Sequence, residues 1–286
     1  MSEFKIITDS ACDLSIDELA SRGLVCLPLT FRFADSDKEY FNYDMSITDF
    51  YSKMKSGGVA KTAAVNTESF AEAFRGMLEG GYDVLYLGFS SGLSTTFNSA
   101  RLAAAELEAE YPERKIIVVD TLAASAGIAL LTDMVLEKKA SGATIDECAS
   151  YAEELKLKIA HWFTVDDLVY LKRGGRVSPT VAFVGNLLGI KPVLHVDNEG
   201  HLTSVSKARG RHASILAMAE KLEKTIEKDS MIYISHGNCI DDAKKLASVI
   251  EEKYGYKTQL ITDVGPVIGA HSGPGTLALF FVAAER

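Results

Sequence analysis

Four short apolar runs set the frame for this chain: Phe4–Ile7, Val25–Phe31, Val84–Leu87 and Ile116–Val119. They are bulky or β-branched rather than alternating with polar residues, the pattern of strands buried on both faces. Helical patterns lie between them. Ser15-Ile16-Asp17-Glu18 is a capping box that opens a first helix, and Thr144-Ile145-Asp146-Glu147 opens another running to about Lys158. Phe70, Ala73, Phe74, Met77 and Leu78 make one apolar helix face that ends near Gly80-Gly81. Phe97–Glu110, rich in Ala and Glu, is a third, closed by Pro112. Strand–helix alternation of this kind requires a parallel sheet with helices on its faces.

The second half has a different rhythm. Val193–Val196 and Leu202–Val205 flank Asp197-Asn198-Glu199-Gly200, a hairpin signal that predicts antiparallel pairing. Helices are predicted over about 212–226 and 241–254, with strands at Met231–Ser235, Thr258–Thr262 and Leu277–Ala283. The expected architecture is α/β in two domains. Residues 1–160 form an α/β/α parallel-sheet domain, and residues 161–286 form an α/β domain with a mixed, partly antiparallel sheet.

Composition narrows the function. The balance of 47% hydrophobic and 24% charged residues is that of a globular chain. A net charge of −9 argues against a nucleic-acid coat. No apolar run approaches the ~18 residues of a membrane span, and with Met1-Ser2-Glu3-Phe4-Lys5 leading into a strand-like segment no signal peptide is expected. Cys12, Cys26, Cys148 and Cys239 form no C-x-x-C, so a structural zinc or a disulfide framework is not expected and a cytoplasmic setting is. The histidines show no metal-ligand spacing, so no metal is expected.

Ligands of parallel sheets bind beyond the carboxyl ends of the strands. There the chain places Thr8-Asp9-Ser10, Asp120-Thr121, Ser235-His236-Gly237-Asn238 and, above all, Ser90-Ser91-Gly92-Leu93-Ser94-Thr95-Thr96. Five hydroxyls in these last seven residues exceed what one helix cap needs. Gly88-Phe89-Ser90-Ser91-Gly92 also fits the G-x-S-x-G nucleophile elbow, which makes Ser90 the nucleophile of a rival serine-hydrolase reading, with Asp263 and His271 completing the set. His271 falls in Gly265–Gly275, read as a shaped loop because four glycines and two prolines crowd it. Two basic stretches stand out on this acidic chain: Lys172-Arg173-Gly174-Gly175-Arg176 and Lys207-Ala208-Arg209-Gly210-Arg211. Either can take an anion, an acidic partner or transient contact with a membrane surface.

Together, Ile7-Thr8-Asp9-Ser10, the Ser90–Thr96 run, Leu171-Lys172-Arg173-Gly174-Gly175-Arg176-Val177-Ser178, Leu188-Gly189-Ile190-Lys191-Pro192 and Gly265–Gly275 resemble the DegV family, the bacterial fatty-acid-binding proteins that include the FakB subunits. The resemblance implies one long-chain, palmitate-like fatty acid between two α/β domains as the ligand, with no cofactor. It implies a non-catalytic carrier whose carboxylate site is Thr62, Ser94 and His271, with Ser91 beside them, and a fatty acid kinase as partner. Arg173, Arg176, Arg209 and Arg211 are the candidate docking residues for that partner. Ala63, Ala64 and Val65 replace the Ser-Gln-Pro usual after the threonine, and Thr95 replaces a usual Gly. Leu188, Phe183, Phe280 and Ile268 are the expected tunnel residues. A third reading, a subunit of a sugar or dihydroxyacetone-type kinase, has no nucleotide motif behind it. Burial of a sixteen-carbon tail contributes on the order of 11 kcal/mol before costs. Hydroxyl bonds to a carboxylate add only ~1.5–3 kcal/mol each. The tail thus sets affinity, and the hydroxyls set orientation.

Overall fold

The computed structural model describes residues 3–177, 189–284 and 286. The first half runs β1 (Phe4–Asp9), α1 (Ile16–Ser21), β2 (Val25–Leu27), β3 (Thr30–Phe33), β4 (Glu39–Phe41), α2 (Ile47–Lys55), β5 (Ala60–Ala63), α3 (Thr67–Glu79), β6 (Asp83–Gly88), α4 (Thr96–Glu110), β7 (Ile116–Asp120), α5 (Ala126–Ala140) and α6 (Ile145–Leu155). The second runs β8 (Ile159–Thr164), α7 (Val169–Arg173), β9 (Ile190–Val196), β10 (Leu202–Arg209), α8 (Arg211–Thr225), β11 (Ile232–His236), α9 (Ile240–Tyr254), β12 (Leu260–Asp263), α10 (Pro266–Ser272) and β13 (Leu277–Val282). Both capping boxes form, at Ser15 with Glu18 and at Thr144 with Glu147.

Three sheets result. The first is parallel, in the order β2-β1-β6-β7. The second is mixed, in the order β10-β9-β8-β13-β11-β12, with only β11 and β12 parallel. The hairpin predicted around Asp197–Gly200 joins its β9 and β10. The third, β4-β3-β5, is small and antiparallel, and the sequence did not announce it. The run Val25–Phe31 is therefore two strands, not one. Pro28 has no N–H to give a ladder, and the next amide, Leu29, donates to Ser10 Oγ at 2.9 Å instead. The chain leaves the parallel sheet there and enters the small one.

The stretch 265–275 is likewise corrected. It is not a loop, because its middle is helix α10. Pro266 occupies the first turn, where a missing N–H costs nothing, and Gly273 ends the helix at φ +82°.

Helix α5 is the centre of the molecule. From Ala126 to Thr132 every residue is buried, as befits a helix apolar all round. It packs on β8, β11 and β13 of the mixed sheet and on β6 of the parallel one. One large core surrounds it, and a second lies under the outer face of the mixed sheet. A third, built on Phe31, Phe33, Phe50 and Tyr51, holds the small sheet to α2 and α10.

Candidate functional site

Between the carboxyl ends of β6 and β7, the small sheet, α7, α10 and the inner face of the mixed sheet lies a cavity of about 250 Å³. Its walls are mostly apolar: Leu29, Phe89, Phe163, Leu171, Val267 and Phe280 are among them. Ile268 and Phe280, expected as tunnel residues, line it. Phe183 and Leu188 lie outside the described residues, as does Ser178 of the basic motif.

One end is polar. Thr62, on β5, places Oγ1 2.8 Å from His271 Nε2 on α10. His271 Nδ1 is buried with no hydrogen-bond partner among the described residues. It packs against Gly174, where a Cβ would come within 2.1 Å of it. An orphaned acceptor is tolerated better than an orphaned N–H. The proton therefore belongs on Nε2, which donates to Thr62 and leaves the Thr62 hydroxyl proton free for another acceptor. Burial, reinforced by the charge of Arg176, lowers the imidazole pKa to about 4, so the ring is neutral at physiological pH.

Arg176 also lines the cavity. Its Nε donates to Leu93 O at 3.0 Å and its Nη1 to Gly174 O at 2.5 Å, which ties the turn after α7 to the hydroxyl-rich loop. Ser94 Oγ accepts from Thr96 N at 3.2 Å and lies 2.8 Å from Thr96 Oγ1. Thr95 lines the cavity beside it. The polar end thus holds three hydroxyls, those of Thr62, Ser94 and Thr95, with a neutral imidazole and one guanidinium, a set suited to an anion.

Several expectations need correction. Ser91 is exposed and outside the cavity wall; its amide donates to Asp120 Oδ1 at 3.2 Å. Ser90 is not assembled as a nucleophile. Its hydroxyl is buried, donates to Gly200 O at 3.0 Å and accepts from Gly92 N at 3.2 Å. A Cβ on Gly200 would sit 2.1 Å from that Oγ, so the β9–β10 turn is seated directly on Ser90. Asp263 pairs with His236 at 3.3 Å rather than with His271. The dense hydroxyls of this loop therefore serve two ends: Ser90 holds the hairpin, and Ser94 and Thr95 face the cavity.

The four arginines separate. Arg173 and Arg209 are exposed, Arg173 lying 5.7 Å over the Tyr170 ring. Arg211 is held by Asp242 at 2.9 Å and lies 3.9 Å from Asp166, so it is committed inside the fold and is not a free docking group. Arg176 belongs to the cavity rather than to a docking surface.

A second polar cluster reaches the same cavity. Asp13, after β1, accepts from Gly265 N at 2.9 Å and from Ser125 Oγ at 2.5 Å. Ser125 in turn lies 2.8 Å from Ser235 Oγ. Both serines line the cavity. Ser125 precedes α5 at φ 55°, ψ −145°, a conformation costing about 1–3 kcal/mol for a side-chain-bearing residue. Burial raises the Asp13 carboxyl pKa to about 7. Ser235 stands among the strand-end residues of the sequence reading, whereas Asp13 and Ser125 carry no periodicity or motif; β1, β7 and β11 bring the three together from far apart in the chain.

Among the described residues no three His, Cys, Asp or Glu side chains gather as a metal site. The four cysteines are free thiols. No helix among the described residues is long and apolar enough to cross a membrane.

Residues 3–284 match the family described as "Uncharacterised protein, DegV family". A DegV domain-containing protein of Clostridium perfringens is 43% identical over 99% of this chain and 98% of its own length. The crystal structure of a DegV lipid-binding protein of Thermotoga maritima superposes with a TM-score of 0.87 at 31% identity, covering 99% of both chains. A stearic-acid-binding protein of Eubacterium ventriosum superposes with a TM-score of 0.89 at 25% identity, over 98% of both.

Proposed function

This chain belongs to the DegV family, and we propose that it is a carrier that holds one long-chain fatty acid in the cavity, carboxylate first against Thr62, Ser94 and Arg176. The observation that carries the reading is the shape of the site: an apolar cavity closed at one end by the Thr62–His271 pair and Arg176. DegV relatives that bind lipid and stearic acid support it.

In this reading the Thr62 hydroxyl donates to the carboxylate, since His271 already occupies its oxygen. Ser94 offers a second hydroxyl, and Arg176 supplies charge from the turn after α7. The apolar walls take the tail, the source of most of the affinity. The chain performs no chemistry on its ligand. It presents the carboxyl group to a partner kinase that makes the acyl phosphate, with the exposed Arg173 and Arg209 as docking points. The hydrolase alternative is set aside: Ser90 carries the hairpin turn, and neither His271 nor Asp263 reaches it.

Mass spectrometry of the organic extract from gently purified protein, beside the native mass of the intact chain, tests the reading. One fatty acid per chain is the expected result. An empty protein that also fails to take up added palmitate or oleate would sink it. Arg209→Glu and Arg173→Glu should slow kinase-coupled turnover without changing fatty acid affinity.

A further inference from the structure

The cavity carries more polar groups than a plain hydrocarbon tail can use. Apart from the head-group residues, Ser125, Ser235 and Ser272 all line it. Ser235 is fully buried, and Ser272 is 6% exposed.

In mildly alkaline solution, where Asp13 is ionised, the direction of the hydrogen bonds is fixed by the carboxylate at their end. Ser125 has one hydroxyl proton and donates it to Asp13. The Ser125–Ser235 contact at 2.8 Å must then use the Ser235 proton. Ser235 Oγ is left with lone pairs facing the cavity and no proton to offer. Ser272 Oγ is the complement, for it is buried with no partner among the described residues. Its hydroxyl proton is not committed. The neighbouring Thr276 hydroxyl is already bound to Gly273 O at 2.7 Å. The segment after Ser272 is stitched to the end of β11, with Gly237 N on Thr276 O and Gly275 N on Gly237 O, both at 2.8 Å. Ser272 and Ser235 are thus brought to the same side of the cavity.

Buried donors and acceptors without partners are costly and rare in folded chains. Here Ser272, a hydroxyl with an uncommitted proton, and Ser235, one with only lone pairs to offer, both line the same cavity. The geometry points to a ligand class narrower than fatty acids at large: an acid bearing a hydroxyl on its chain. That hydroxyl donates to Ser235 Oγ and accepts from Ser272. A keto group brings no proton and satisfies Ser272 alone, and a saturated chain satisfies neither. The inference rests on the carrier reading above and deepens it.

The test is competition against a labelled stearate in mildly alkaline buffer. The competitors are stearate, a series of hydroxystearates differing in hydroxyl position, and the corresponding ketostearates. At least one hydroxystearate should compete about tenfold better than stearate, the yield of two neutral hydrogen bonds, and its keto counterpart should not. Ser235→Ala and Ser272→Ala should each cut the hydroxystearate-to-stearate ratio to about threefold, and the double variant should bring it close to one. The ratio within a single variant cancels any general loss of fold or affinity. The inference is overturned if no hydroxystearate surpasses stearate, or if the preference survives both substitutions. Stearate bound without that preference defeats this inference alone, whereas failure of every acid to bind defeats the carrier reading with it.

Discussion

At the scale of the residue, the site turns on which hydroxyl proton is free. Thr62 is the clearest case. Thr62→Val removes the donor to the ligand and leaves His271 Nε2–H without its acceptor at 2.8 Å. A bond to a charged group is worth ~1.5–3 kcal/mol, so the Kd for palmitate should rise about tenfold to a hundredfold. It should not be abolished, because the tail still binds. Isothermal titration would show this, and an unchanged Kd would remove Thr62 from the head-group site. Gly174→Ala should act on the same pair from behind. Its Cβ meets His271 Nδ1 at 2.1 Å, so the ring must swing off Thr62. The variant should lose about 1–3 kcal/mol of stability by overpacking and weaken binding as Thr62→Val does. Through a motif resemblance, sequence reading named Thr62, Ser94 and His271, which the structure brings to one cavity, but it put Arg176 on the surface and placed Ser91, which lies outside the cavity wall, beside them. The reason is physical. An arginine in a Gly-Gly turn reads as exposed whether its guanidinium faces solvent or the Leu93 carbonyl. Adjacent serines in one loop differ only in which way the turn points them.

At the scale of the element, the chain was legible where local pattern and tertiary role agree. Both capping boxes and the β9–β10 hairpin are of this kind. Legibility failed where a single residue overrode the pattern. Pro28 splits an apolar run between two sheets, and Pro266 starts a helix inside a glycine-rich stretch. Helix α10 matters most for the site, since it carries His271 and Ser272 and packs on α2. Its glycines are contact points, not flexibility. At Gly269 a Cβ would meet the Tyr51 hydroxyl at 2.4 Å, and that hydroxyl holds Val264 O at 2.9 Å. Gly269→Ala has good helix propensity yet should destabilise the fold by about 1–3 kcal/mol, since both sides of the contact are buried. Thermal unfolding checks this. A rise in Tm, as propensity alone demands, would mean α10 is not pressed against α2.

At the scale of the whole molecule, Asp13 is one of several groups that join the two halves of the chain. Asp13 binds the residue before α5 through Ser125 and the start of α10 through Gly265, and its carbonyl accepts from Thr262 Oγ1 at 2.8 Å. Its folded pKa, about 7 against 3.8, is raised, so its contribution favours folding at low pH and is lost as pH rises through about 7. His271 runs the other way. Its folded pKa of about 4 against 6.5 is depressed, so stability is full above 6.5 and is lost as pH falls towards about 4. Buried His161, also shifted down, adds to that second trend. Between about pH 4 and 6.5 the acid therefore masks part of the histidine slope. Asp13→Asn keeps an acceptor for Gly265 N but removes the titration. Its stability should climb with pH more steeply than that of the unaltered chain, by up to about 1.4 kcal/mol per pH unit, or a few degrees of Tm. Parallel Tm profiles for the two proteins across that window would show that Asp13 titrates alike folded and unfolded. The carboxyl group would then not be the buried fastening between α5 and α10.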